Sequence, residues 1–150
     1  MKLLLDTSVW VEHLRHAALD RLIVPMRGRF TLCMDAVVVS ELRAGCRSKQ
    51  ERRVIARLCA PHERSGRLLC PTQGDFERAA LALSRLREQG RPPSGSKAAL
   101  LDALIAAVAA RDGALLVTQN LSDFLTLARE IPVRVESFAV FQERLLADPG

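Results

Sequence analysis

The stretch LLLDTSVWVE at residues 3–12 decides the fold class. It opens with three leucines that no polar residue interrupts, which is typical of a strand buried on both faces. Asp6, Thr7 and Ser8 follow directly, and these residue types cap helix N-termini, so a helix is predicted over 9–14. A buried strand that runs straight into a helix indicates an α/β unit.

The same alternation of apolar runs and helical patterns continues along the chain. Further strands are predicted at 30–34, 68–70, 114–117 and 133–135. Further helices are predicted at 36–44, 50–59, 75–89, 98–111, 121–129 and 138–147. In the helix at 75–89, the spacing predicts an inward face of Phe76, Ala80, Leu83 and Leu86. We expect an α/β sandwich with a mainly parallel sheet, formed as a single domain over residues 1–150.

The composition excludes several classes of protein. The chain is 49% hydrophobic and 26% charged, which excludes wholesale disorder. It has five Phe, one Trp and no Tyr, which argues against an aromatic base-stacking platform of the RRM type. The net charge of +5 comes mostly from arginine, which suits phosphate and carboxylate partners. A compositional habit of the source genome explains the arginines equally well.

The cysteines and the N-terminus predict a cytoplasmic protein. The four cysteines show no C-x-x-C spacing, which argues against a zinc site and indicates reduced thiols. The apolar run after Lys2 is too short for a signal sequence. The longest uncharged apolar helical stretch, at 103–110, is far below membrane-spanning length, so we expect no membrane association.

Several acids occupy positions that are unusual for surface carboxylates. Asp102 lies in LLDALIAAVAA, which offers hardly any polar face, and Glu41 follows three valines. Asp6 ends a buried strand, and Asp123 follows the strand at 114–117. In parallel sheets, ligands bind at the carboxyl ends of strands, a rule that selects Asp6 together with Thr118, Gln119 and Asn120.

If these four acids meet at the strand ends, their repulsion must be neutralised. Two charges about 4 Å apart cost roughly 4 kcal/mol at an effective dielectric constant of about 20. Oxygen ligands favour Mg²⁺ or Mn²⁺, and such a centre suits phosphodiester hydrolysis. Purely structural interpretations remain open at this point: Asp6 as a helix cap, Asp123 as a helix-dipole partner, and Glu41 paired with Arg43 or with a more distant arginine.

Four segments together resemble the motifs of PIN-domain ribonucleases, and in particular the VapC toxins of toxin–antitoxin pairs. The segments, in order, are LLLDTSVWVE (3–12), VVVSELRAG (37–45), LLDALIAAVA (100–109) and LLVTQNLSDF (115–124). The resemblance implies a three-layer α/β/α fold with a parallel sheet. It also implies an acidic quartet of Asp6, Glu41, Asp102 and Asp123, which would serve as catalytic residues and as ligands of Mg²⁺ or Mn²⁺.

The resemblance assigns supporting roles to Thr7 or Ser8, Thr118 and Asn120, beside the acids. Some PIN domains carry an aspartate where this chain has Asn120, so either Asn120 or Asp123 is the fourth ligand, and we assign that role to Asp123. The implied activity is a metal-dependent endoribonuclease toxin that cleaves RNA with a metal-activated water. The implied partners are an RNA substrate, a cognate antitoxin of the VapB kind bound in a groove that includes the helix at 50–59, and a second copy in a homodimer.

Two other functions fit the same fold class. The first is a PIN-like domain that binds RNA or a protein partner without catalysis, although the complete set of acids argues against it. The second is a receiver-like phosphoacceptor domain, which shares the size and a magnesium-binding acid. That function lacks support because no adjacent acidic pair follows the first strand and no lysine follows a late one.

Overall fold

Strands and helices alternate as the sequence predicts in this computed structural model, which describes residues 1–93 and 96–147. The strands are β1 (Lys2–Leu5), β2 (Thr31–Asp35), β3 (Leu68–Leu69), β4 (Leu115–Thr118) and β5 (Arg134–Ser137). The helices are α1 (Thr7–His16), α2 (Ile23–Met26), α3 (Ala36–Ala44), α4 (Lys49–Arg64), α5 (Gln73–Glu88), α6 (Ser96–Arg111), α7 (Leu121–Leu127) and α8 (Phe138–Ala147). Of these elements, only the short helix α2 was not predicted.

The strands form one parallel sheet in the order β3-β2-β1-β4-β5. Crossovers between parallel strands are right-handed as a rule, and with this strand order that rule puts α1 to α4 on one face and α5 to α7 on the other. The parallel sheet flanked by helices confirms the three-layer α/β/α prediction. The order differs from the 2-1-3-4-5 order of receiver-type folds, so the topology argues against the phosphoacceptor hypothesis. After β1 the chain continues into β2 on one side, and it later returns as β4 on the other side of β1. A crevice therefore opens between the carboxyl ends of β1 and β4.

The core is aliphatic. Leu3, Leu4 and Leu5 are completely buried in β1, as expected of a strand covered on both faces. Trp10 is also buried, where it packs edge-on against His62. None of the helices in the described ranges combines the length and the apolar character needed to cross a lipid bilayer.

The expected buried face of the helix at 75–89 is partly wrong. In α5 the buried face contains Ala79, Ala82 and Leu86, whereas Phe76 is half exposed and Ala80 faces solvent. The small alanines let α5 pack closely against α6, which turns the larger Phe76 outward. His62, in a stretch rich in charged residues that reads as solvent-exposed, is buried because it continues the inward stripe of Ile55 and Cys59 on α4.

Candidate active site

Asp6 directly follows β1, and only 5% of its surface is exposed. Its Oδ1 accepts a hydrogen bond from the backbone N–H of Thr7 at 2.7 Å. Its Oδ2 accepts two more, from Ser8 Oγ at 2.8 Å and from Thr118 Oγ1 at 2.9 Å. Asp6 is therefore the N-cap of α1, as one sequence interpretation held, and it is also fixed in orientation at the carboxyl end of the sheet.

The segment after β4 is tied to the same point. The backbone N–H of Gln119 donates to Ser8 Oγ at 3.1 Å, and that of Asn120 donates to Thr118 Oγ1 at 2.9 Å. The Asn120 side chain does not cap α7. Instead its Nδ2 donates to Asp123 Oδ2 at 2.8 Å. The polar residues that the strand-end rule selects are thus connected by hydrogen bonds from Asp6 to Asp123.

Glu41 reaches the site from α3, on the other side of β1. Its Oε2 accepts a hydrogen bond from Thr7 Oγ1, so Thr7 lies between Asp6 and Glu41. Burial raises the pKa of Glu41, the Thr7 hydrogen bond opposes that shift, and the charge of Asp6 adds to it. The alternative pairing of Glu41 with Arg43 is wrong, because Arg43 instead forms an ion pair with Glu63 at 3.0 Å.

Asp102 lies on α6, in the layer opposite Glu41, and is half-buried. The pKa of Asp102 is raised to about 7, mainly because the carboxyl is buried and further because Asp6, Glu41 and Asp123 repel its charge. The same three acids are linked by hydrogen bonds, since Thr7 joins Asp6 to Glu41, and Thr118 and Asn120 join Asp6 to Asp123. The structure therefore brings Asp6, Glu41, Asp102 and Asp123 together in the crevice between β1 and β4.

One buried acid near this site was missed. Asp35 ends β2 and caps α3, its Oδ1 accepting a hydrogen bond from the backbone N–H of Val37 at 2.7 Å. It is completely buried, and among the described residues its Oδ2 has no hydrogen-bond partner. Burial raises the pKa of Asp35 to about 7. The strand-end rule that selected Asp6 could have found Asp35 too, had it been applied to β2.

An apolar groove of about 510 Å³ opens from Thr7 and Glu41 and runs between α1, α3 and α4. Its apolar walls are formed mainly by Val11, Leu14, Leu42, Val54 and Ile55. The helix predicted at 50–59 is part of the longer helix α4, and it contributes one of these walls. The groove leads directly to the acidic cluster.

The sequence profile of the family described as PIN domain matches residues 3–129 of the chain. The chain belongs to the PIN-domain family. This membership confirms the resemblance noted from the motifs, and the parallel sheet with helices on both faces is the fold expected of a PIN domain.

Solved structures of similar fold include a member of the VapBC family of toxin–antitoxin systems. VapBC-1 from nontypeable Haemophilus influenzae has a TM-score of 0.70 at 20% identity, covering 93% of this chain and 99% of the other. FitAcB from Neisseria gonorrhoeae has a TM-score of 0.63 at 26% identity, covering 90% and 96%. VapBC-5 from Mycobacterium tuberculosis has a TM-score of 0.58 at 25% identity, covering 91% and 96%. A comparison with curated protein sequences finds no match.

The acids of this PIN domain fit a divalent cation in chemistry and charge. Their ligand atoms are all carboxylate oxygens, which suit Mg²⁺ or Mn²⁺, and burial together with repulsion from the other three acids raises the pKa of Asp102. As the side chains stand in residues 1–93 and 96–147, no three His, Cys, Asp or Glu side chains are close enough together to hold a metal ion. The four acids share one crevice without closing around a single point.

We expect the metal-free chain to lose stability as the pH rises from about 4 to 7. Asp35 and Asp102 both have folded-state pKa values raised from 3.8 to about 7. A raised pKa means that the folded state binds the proton more tightly than the unfolded state does. The bound protons therefore stabilise the fold, and this stabilisation is lost as the two carboxyls ionise. The melting temperature in EDTA should be a few degrees higher at pH 5.5 than at pH 8.

The variants Asp35→Asn and Asp102→Asn provide matched controls, because asparagine preserves shape and, at position 35, the helix cap. Each should flatten part of the pH dependence, as measured by differential scanning fluorimetry in EDTA. A wild-type melting temperature that rises from pH 5.5 to pH 8 would contradict this interpretation.

Proposed function

We propose that the chain is a VapC-type toxin, a metal-dependent endoribonuclease that cleaves RNA and is inhibited by a cognate antitoxin. The observation that carries the proposal is the convergence of four motif acids at the open end of the sheet of a PIN domain. Membership in a family of nucleases supports the activity, and the complexes among similar structures support the toxin–antitoxin role.

In this proposal, Asp6, Glu41, Asp102 and Asp123 hold one or two Mg²⁺ or Mn²⁺ ions. When bound, an ion of this kind would supply the polarisation of a phosphoryl oxygen and the lowered pKa of a water molecule that phosphodiester hydrolysis needs. Asp6 is fixed in orientation by three hydrogen-bond donors. Thr7, Ser8 and Thr118 supply or orient those donors, and Asn120 orients Asp123.

Cleavage of RNA by the purified wild-type chain tests the activity. With Mg²⁺ or Mn²⁺, we expect a labelled single-stranded RNA to be cut internally. The products should carry linear phosphate ends and no 2′,3′-cyclic phosphate, because water and not the 2′-hydroxyl is the nucleophile. EDTA should abolish cleavage, and an excess of Mn²⁺ should restore it. RNA that is bound but never cut in either metal would contradict catalysis and favour the binding-only alternative.

The apolar groove beside Glu41 is the proposed site for the antitoxin. The apolar walls of the groove, formed by Val11, Leu14, Leu42 and Val54, suit the apolar side chains of a peptide segment. The exposed Arg15 at the edge of the groove suits an acidic residue of the same segment. A peptide there would end beside the acidic cluster. Co-expression with the neighbouring open reading frame tests the partner. We expect the chain expressed alone to arrest growth of the host and the co-expressed partner to relieve that arrest. No relief by any adjacent gene would contradict the pairing.

A second copy of the chain completes the proposed set of partners. The homodimer is implied by the resemblance to VapC toxins, and α5 leaves the large apolar side chains Phe76 and Leu81 half exposed. Light scattering of the purified chain should give twice the mass of one chain. A single-chain mass at micromolar concentrations would contradict a stable dimer.

A further inference from the structure

A second depression, of about 480 Å³, lies on the opposite side of α1 from the apolar groove. Glu12 and His16 of α1 line it, together with Arg21 in the turn that follows. The segment after β4 contributes Thr118 and Gln119, and α8 contributes Gln142. This polar pocket has the volume of a small-ligand site.

The polar pocket is joined to the acidic cluster through its own wall. Thr118, which lines the pocket, donates its hydroxyl hydrogen to Asp6 Oδ2 at 2.9 Å. Gln119 donates its backbone N–H to Ser8 Oγ, and Ser8 in turn donates to Asp6 Oδ2. A group that occupies the pocket therefore lies next to the acids, on the side away from Glu41.

The two depressions differ in chemistry. The apolar groove is walled largely by aliphatic side chains. The polar pocket has an apolar part, formed by Ala18, Phe138 and Ala139, and it adds an arginine, a histidine and two glutamines against the single carboxylate of Glu12. Arg21 is exposed, and it takes part in no salt bridge within residues 1–93 and 96–147. Arginine is suited to binding phosphate, and the side-chain amide of glutamine is suited to the donor and acceptor pattern of a base edge.

We propose that the polar pocket is the subsite for the nucleotide next to the scissile phosphate of single-stranded RNA, with Arg21 contacting its phosphate and Gln119 and Gln142 its base. This inference rests on the proposed ribonuclease function. A recess admits an unstacked base of a single strand, whereas a base paired within a helix is not free to enter it. The apolar groove is left to the protein partner.

Binding of a fluorescent single-stranded RNA to the chain in the Asp102→Asn background tests the phosphate contact. We expect Arg21→Ala to weaken binding by about 3- to 10-fold and to reduce the slope of log Kd against log salt by about 0.7, the value for one lost phosphate contact on a single strand. Arg27→Ala is the matched control, because Arg27 is an exposed arginine outside the pocket whose loss removes the same charge.

Base recognition has a separate readout in the wild-type background. We expect Gln142→Ala to change the preference among cleavage sites by about tenfold, whereas Gln73→Ala, an exposed amide on α5, leaves the preference unchanged. If the wild type cleaves RNA and Arg21→Ala and Gln142→Ala match their controls, the subsite is overturned and the ribonuclease stands. If the wild type neither binds nor cleaves RNA, the proposed function itself fails.

Discussion

Replacing Asp102 with asparagine is expected to have opposite effects on activity and stability. RNA cleavage should fall by at least about 100-fold, because a metal-assisted step contributes several kcal/mol and the variant lacks one ligand. At pH 8 without metal, Tm should rise by a few degrees. The cause is that burial and the charges of Asp6, Glu41 and Asp123 make the ionised Asp102 destabilising, and asparagine removes that charge.

The matched control for this prediction is Asp20→Asn, which removes the same charge from a residue whose side chain is 63% exposed. It should leave the cleavage rate and the melting temperature close to those of the wild type. Rates measured on one RNA at saturating Mg²⁺, together with thermal melts in EDTA, provide both readouts. An Asp102→Asn variant that cleaves at the wild-type rate would exclude Asp102 from the catalytic centre.

Replacing Arg111 with methionine should cause a large loss of stability. The Arg111 guanidinium forms an ion pair with Asp75, whose side chain is 3% exposed, and it also donates to the carbonyl oxygen of Cys70. Without Arg111, Asp75 is left as a buried charge without its cation, and the free energy of unfolding should fall by about 3 kcal/mol. The pair ties the end of α6 to the start of α5 and the end of β3.

Urea denaturation measures this loss, and a double variant identifies its cause. Asp75→Asn keeps an oxygen that can accept the hydrogen bonds from Thr72, so adding it to Arg111→Met should recover part of the stability. Arg111→Lys should lie between the wild type and Arg111→Met, because it keeps the charge but lacks the planar fork. An unfolding midpoint equal to that of the wild type in Arg111→Met would show that the ion pair contributes nothing.

The sheet could be predicted from sequence because its strands are buried on both faces. Leu3–Leu5 and the run at 114–117 contain no polar residues, and each is followed by residues that end a strand or start a helix. The position of Asp6 beside Thr118 also follows from local rules, since the two residues stand at the carboxyl ends of neighbouring strands. The position of Asp102 near the other three acids depends instead on how α6 packs against the sheet. No local sequence pattern specifies that packing.

The errors have physical causes as well. In an alanine-rich helix such as α5, the helical period does not determine which face is buried, and close packing on α6 selected Ala79 and Ala82 over Phe76. His62 lies among charged neighbours, yet it is aligned with Cys59 on the inner face of α4. Asp35 escaped notice because an acid before a helix reads as an ordinary cap, and only its complete burial marks it as unusual.

Calorimetric titration of Mn²⁺ into the metal-free chain at pH 6.5 tests most directly whether the four acids form a metal centre. The account predicts saturable binding with release of a proton, because the Asp102 pKa of about 7 leaves that carboxyl largely protonated before the ion binds. Asp102→Asn should bind Mn²⁺ more weakly and release fewer protons on binding, and Asp20→Asn should match the wild type in both measurements. No saturable binding by the wild type, or equal binding by Asp102→Asn, would contradict the account.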